Sequence, residues 1–168
     1  DVALGEKGEI CIKGPQVMKG YWNNPAATAD VIIDGRLHTG DVGHMDADGY
    51  VHITDRLKDM INTSGYKVYP RQVEEAIYQH PLVKECAVFG VDDAYRGQAI
   101  KAVICLKAGA TLSGHDLDVF LEKRLSHIEK PRSYDFRGEL PKTAVGKIHK
   151  KILVEEEKMK TASQEKAS

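Results

Sequence analysis

The chain has 168 residues, 42% of them hydrophobic and 29% charged, with a formal net charge of -1. These values describe an ordinary globular protein of one domain or one and a part, and bulk charge gives no reason to expect a nucleic-acid partner. No apolar run approaches a membrane span and no signal peptide is visible; the chain starts at Asp1 inside a folded pattern and reads as a piece of something larger.

Gly8 to Gly14 alternates like a strand, Pro25 to Ile33 opens with proline and reads as a short helix, and Asp48-Gly49 is a hairpin turn ahead of a strand from Tyr50 to Thr54. Residues 1–55 are therefore mostly β. So short and turn-rich a segment buries little core by itself and is expected to belong to a missing domain. From Asp55 to Pro70, charged residues, a Ser-Gly turn and a terminating proline stand between strand-like segments, and this stretch reads as a joint.

After Pro70, strands alternate with helices. Arg71 to His80 is a helix with Val73, Ala76 and Ile77 on one face, Cys86 to Val91 is a strand, and Ile100, Ala102, Ile104 and Leu106 alternate along another. Ser113 and Asp116 form a capping-box-like start for a helix carrying Leu117, Phe120, Leu121 and Leu125 at helical spacing. Ser133 to Arg137 is a short strand, Glu139 to Gly146 a loop, and Lys147 to about Lys160 a helix with a polar tail expected to fray. The fold class is α/β in the α+β sense: a short sheet flanked by helices, preceded by a β-rich segment.

Cys11, Cys86 and Cys105 are far apart, odd in number and set among apolar neighbours, so they read as small buried thiols in a reducing compartment. The seven histidines are scattered with no pair at ligand spacing, so no metal site is expected. Between Lys130 and Lys151 stand seven Lys or Arg against Asp135 and Glu139. A solvated face is the simpler reading of that excess, with a phosphate neighbour as the alternative.

Three short segments carry chemistry. In Leu140-Pro-Lys-Thr-Ala-Val-Gly-Lys147, Gly146 permits a tight turn and Lys147, at the mouth of the following helix, can project a point charge toward a phosphate or carboxylate. The spacing is not that of a Walker loop. In Leu37-His-Thr-Gly-Asp41 the carboxylate follows a Thr-Gly bend and can accept two hydrogen bonds from a diol, or cap its own turn. Arg56 and Lys58 lie on the joint, where a few residues between elements can absorb a rotation.

Gly8 to Pro25, Leu37 to Asp41, Asp55 to Asp59 with Gly65-Tyr66 and Pro70, and Leu140 to Lys147 follow the order and spacing of the adenylate-forming superfamily. Within it the chain most resembles acyl-CoA synthetases, particularly long-chain fatty-acid CoA ligases. The resemblance implies that residues 1–55 end a large N-terminal adenylation domain and residues 56–168 are the mobile C-terminal domain, with a hinge near 55–58. It also implies a reaction in two steps: a fatty acid attacks the α-phosphate of ATP to give acyl-AMP and pyrophosphate, then the thiol of coenzyme A displaces AMP. Asp41 would bind the ribose hydroxyls, Arg56 would support the ribose and phosphate side, and Lys147 would touch the α-phosphate and carboxylate in the first step only. Lys58 would be the hinge, and Ser64-Gly65-Tyr66 would line the pantetheine channel in the second step.

Two departures stand out. A Tyr-Lys pair common in relatives is replaced by Ile128-Glu129-Lys130, so the basic contact to the coenzyme A nucleotide shifts to Lys130 or is lost. The phosphate loop, the acyl pocket and the acid supporting magnesium would all lie upstream of Asp1, so this chain alone is not expected to catalyse. A cytoplasmic setting is expected, with membrane association of a longer parent left open, and exposed sheet edges at residues 1–55 favour pairing into a homodimer. The alternatives are an adenylation domain that loads a carrier protein, a luciferase-like use of the adenylate, and a non-catalytic binding module.

Overall fold

A computed structural model describes residues 1–165, and the chain divides between Lys58 and Asp59 into two compact units. The first contains β1 (Gly8–Ile12), α1 (Pro25–Val31), β2 (Ile32–Ile33), β3 (Arg36–Met45) and β4 (Val51–Arg56). All its strand pairings are antiparallel and all are made to β3. Asn24 caps α1 by accepting a hydrogen bond from the Ala27 N–H at 3.0 Å, and Pro25 occupies the first turn. The helix stops at Val31, two residues before the expected end at Ile33. There the β-branched Ile32 and Ile33 pair with Leu37 and Arg36 across a hairpin whose Asp34 and Gly35 have φ of 51° and 72°.

Of residues 1–58 only Val42 and Gly43 are buried, while Trp22 is 91% and Tyr50 70% exposed. One sheet with a two-turn helix has no second layer to close a core. Gly43 is obligatory here, because a Cβ would lie 2.5 Å from the carbonyl oxygen of His52.

After a 3-10 turn, Leu57–Asp59, the second unit runs β5 (Ile61–Thr63), β6 (Tyr66–Val68), α2 (Pro70–Tyr78), β7 (Val83–Asp93), β8 (Gly97–Leu106), α3 (Gly114–Leu121), β9 (Ser133–Arg137) and α4 (Lys150–Glu165). The sheet order is β6-β5-β8-β7, and β9 joins β8 in parallel, from Lys101 opposite Ser133 to Cys105 opposite Arg137. The α/β class read from the sequence is what the structure has. The alternation expected along β8 is only half of its pattern, because both of its faces are buried. Ile100, Ala102 and Ile104 face a core with Val73 and Ile77 of α2 and Leu117 and Leu121 of α3. Val103 and Cys105 face a second core with Ala87, Phe89, Leu140 and Leu153 of α4.

β7 is an edge strand, and its buried outward amides need partners. α2 supplies them: the Cys86 N–H donates to the Tyr78 hydroxyl at 3.1 Å and the Val88 N–H to Glu74 Oε1 at 2.8 Å. Glu74 also holds Lys150 at 2.7 Å, which ties the start of α4 to the same edge. At α3 the expected cap forms: the Asp116 N–H donates to Ser113 Oγ at 3.1 Å, and the Ser113 hydroxyl donates to Asp116 Oδ2 at 2.6 Å. α4 begins at Lys150, three residues later than expected, and the last three residues of the polar tail lie outside the described residues.

Cys86 and Cys105 are buried as expected, and burial pushes the Cys86 thiol up to about 12. Cys11 departs from the expectation: it is exposed, because its sheet has no covering layer. A thiol-alkylating reagent applied to the native chain should therefore modify Cys11 alone, and all three cysteines only after denaturation. Native modification of Cys86 or Cys105, read by peptide mass, would contradict the two buried cores.

Candidate functional site

Asp41 does not sit in a loop. Thr39, Gly40 and Asp41 lie inside β3 as a bulge: Cys11 pairs with His38 and Glu9 with Val42, so three residues of β3 oppose Ile10 alone. Bulges of this kind bend a strand and re-aim a side chain. Gly40 takes the left-handed conformation it needs, with φ of 71°. The bulge is held by its own hydrogen bonds. The Thr39 hydroxyl donates to the Ile10 carbonyl at 2.8 Å and accepts from the Asp41 N–H at 3.1 Å, and the Gly40 N–H donates to Glu9 Oε1 at 3.1 Å. Asp41 pairs in register with Arg56, whose Nε lies 3.3 Å from its Oδ1. The Asp41 side chain is 27% and that of Arg56 61% exposed. A carboxylate and a guanidinium thus stand side by side on an open surface, positioned by Glu9 and Thr39, which sequence reading did not single out.

In the second unit Ser64 and Gly65 are the two-residue turn between β5 and β6, with φ of 53° and 82°. Two successive left-handed residues make the primed hairpin turn, and this is what requires glycine at 65. A Cβ there would meet open space, and Tyr66 beside it is 58% exposed. The Ser64 N–H donates to the Arg96 carbonyl at 2.8 Å, lacing this hairpin to the β7–β8 turn. Asp93 shapes that turn by accepting from the Tyr95 and Arg96 N–H groups at 3.0 and 2.8 Å, and these bonds hold its carboxyl below the usual carboxylate range.

Beside the laced turns lies a hollow of about 160 Å³ lined by Ser64, Arg96, His127, Lys130 and Arg132, with Ile100 at its floor. Lys130 is only 14% exposed there and is held by Asp118 at 3.1 Å and Glu122 at 3.6 Å. Its charge is thus met by two carboxylates within the domain. Two arginines also line the hollow: Arg96, which lies 3.7 Å from Asp93, and Arg132, whose Nη2 lies 3.3 Å from His127 Nε2.

Lys147 is not at a helix mouth. It closes a small hairpin in which the Thr143 N–H donates to the Lys147 carbonyl at 2.8 Å and the Gly146 N–H to the Thr143 carbonyl at 2.9 Å. Gly146 supplies the left-handed residue at φ 79°, and Lys142 and Ile148 form a bridge below. The neighbouring cations are committed: Lys142 to Glu85 at 2.6 Å, Lys150 to Glu74 and Lys151 to Glu155 at 3.8 Å. Among the described residues the exposed Lys147 side chain has no such partner, so the basic stretch is mostly paired, with Lys147 left as an available charge. Lys58 is also exposed, in the 3-10 turn at the division between the units. Pairing of β1 with β3 also brings Glu9, Cys11 and His38 together, a cluster invisible to a search for local ligand spacing.

Residues 72–147 match the family described as AMP-binding enzyme C-terminal domain. A long-chain-fatty-acid CoA ligase of Bacillus subtilis is 55% identical over 90% of this chain, and a feruloyl-CoA synthase of an Amycolatopsis species is 49% identical over 89%. The chain spans 27% and 30% of the lengths of those two relatives. The crystal structure of ATP-bound MatB from Rhodopseudomonas palustris superposes with a TM-score of 0.85 at 38% identity, covering 92% of this chain and 31% of that one. The second unit therefore belongs to the AMP-binding C-terminal domain family of the adenylate-forming enzymes, and along most of its length the chain is similar to acyl-CoA ligases.

Proposed function

We propose that the chain is the C-terminal part of an ATP-dependent fatty acid:CoA ligase whose second unit serves both steps by presenting opposite sides of one sheet. The observation that carries this reading is the placement of two features on the two cores. Leu140 and Ile148, which flank the Lys147 hairpin, belong to the α4-side core. Ile100 and Ile128, which line the hollow beside Ser64, belong to the core on the α2 and α3 side. Flanking residues that belong to opposite cores support a reading in which Lys147 and the Ser64 hollow are used in turn.

In the first step the free ammonium of Lys147 offsets negative charge building on the α-phosphate and on the attacking carboxylate. Phosphoryl and acyl-phosphate chemistry needs such placed charge more than it needs a covalent partner. Asp41 accepts hydrogen bonds from the ribose hydroxyls, and Arg56, 3.3 Å away, orients its carboxylate while reaching toward the phosphate side. Rotation about Lys58 then withdraws Lys147. The Ser64-Gly65-Tyr66 turn, open in space at residue 65, takes the pantetheine arm, and Arg96 and Arg132 take the phosphates of coenzyme A. Magnesium travels with ATP and would be held by an upstream domain, which would also cover the exposed apolar side chains of the first unit.

The fatty-acid reading is supported by the long-chain-fatty-acid CoA ligases among the relatives, at 55% and 46% identity, with the feruloyl enzyme at 49% marking an aryl acid as the alternative. In the full-length parent, ATP–pyrophosphate exchange should depend on a fatty acid and fall about a hundredfold or more in Lys147→Ala, with thioester formation from supplied acyl-AMP retained. Exchange indifferent to Lys147 would overturn the assignment, and loading of a carrier protein in place of coenzyme A would shift the reading to the carrier-linked alternative. Arg132→Ala should do the converse, raising KM for coenzyme A about tenfold while leaving exchange unchanged. An unchanged KM would remove the hollow from the coenzyme A path.

A further inference from the structure

Glu9, Cys11 and His38 converge on one point of the first unit that adenylation and thioester transfer leave unused. Cys11 and His38 are direct cross-strand partners between β1 and β3, and Glu9 precedes Cys11 on the same strand across the bulge. The Cys11 Sγ lies 3.6 Å from His38 Nδ1, and Glu9 Oε2 lies 2.8 Å from that same nitrogen. All three donor atoms fall within 4.8 Å of one another.

The shared nitrogen decides between two kinds of chemistry. A cysteine activated through a histidine uses one ring nitrogen as base and the other to meet an orienting carboxylate. Here thiol and carboxylate both address Nδ1, so the cluster is no relay. Sulfur, nitrogen and oxygen donors directed at one volume instead suit a cation. Zinc bonds thiolate at about 2.3 Å and imidazole at about 2.0 Å, so in a tetrahedral site those two ligands stand about 3.5 Å apart. The 3.6 Å found between Cys11 and His38 is already that spacing, while the 2.8 Å hydrogen bond between Glu9 and His38 would have to open to about 3.3 Å around the ion.

The carboxylate is oriented for the same task. Glu9 Oε1 accepts from the Gly40 N–H at 3.1 Å, which turns Oε2 toward the histidine. A ligand carboxylate held by a backbone amide is a common way of fixing a metal site. In this chain the site is accessible, since Cys11 is exposed and the His38 and Glu9 side chains are 30% and 24% exposed. We propose that Glu9, Cys11 and His38 bind a borderline-soft divalent cation, zinc before all others, with water as the fourth ligand. The mixed thiolate, imidazole and carboxylate set selects against magnesium and calcium, which take oxygen donors. Because Glu9 also anchors Gly40, the cation would lie one carboxylate away from the bulge that aims Asp41.

Cobalt(II) titration of the reduced full chain at neutral pH tests the site, since cobalt reports its ligands optically. The expected result is one equivalent bound with a thiolate-to-cobalt charge-transfer band and the visible bands of a four-coordinate ion, both abolished by zinc. Cys11→Ser should remove the charge-transfer band, Cys86→Ser should keep it, and His38→Gln and Glu9→Gln should each weaken binding more than about tenfold. In the unsubstituted chain, zinc should also slow alkylation of Cys11, a readout that needs no variant to fold. No charge-transfer band, a band that survives in Cys11→Ser, or alkylation of Cys11 unaffected by zinc would each overturn the proposal.

Discussion

Burial of β8 on both faces is the constraint on which the second unit depends. With β7 paired along one edge and β9 and β5 along the other, its backbone groups are satisfied in the sheet, and its side chains are free to build two cores instead of one. Every polar feature of interest is then an outgrowth of one side or the other. Tyr134 of β9 donates to Asp118 of α3 at 3.2 Å on the first side, and Arg137 of β9 meets Glu156 of α4 at 2.6 Å on the second. The two layers are thus pinned to the same parallel strand, and a rotation of the domain carries both as a rigid piece.

The first unit works on the opposite principle. It has almost no core, so what it positions is positioned by hydrogen bonds within a single sheet. Thr39 and Glu9 hold a strand bulge in place, and the bulge brings Asp41 beside Arg56. Such a network is sensitive to the loss of any one member, because each buried or half-buried polar group has few substitutes.

What could be read in advance was what is local along the chain. The α3 cap, the Asp48-Gly49 turn, the helical face of Val73, Ala76 and Ile77, and the strand from Ser133 to Arg137 are each written within a few residues, and all are found. The loop expected over 139–146 is a hairpin whose closing bond joins Thr143 to Lys147, so Lys147 belongs to the loop and the helix starts three residues later, a boundary that propensity does not mark. The ion pairs of Lys130, the exposure of Cys11 and the meeting of Glu9, Cys11 and His38 depend on which strands and helices become neighbours. Cys11 and His38 are separated by 27 positions, so only the register of β1 on β3 makes them partners. The motif residues themselves were legible as types; their availability, paired or free, was not.

The claim that one domain alternates its two sides is tested most directly at Lys58. Proline has a fixed φ within the range of a 3-10 turn, so Lys58→Pro, with folding verified by circular dichroism, stiffens the proposed pivot. In the full-length parent, the account predicts that pyrophosphate exchange survives in this variant and that transfer of the acyl group from adenylate to coenzyme A falls by orders of magnitude. Equal retention of both steps, or equal loss of both, would contradict alternation and leave the two sides of the sheet without separate roles.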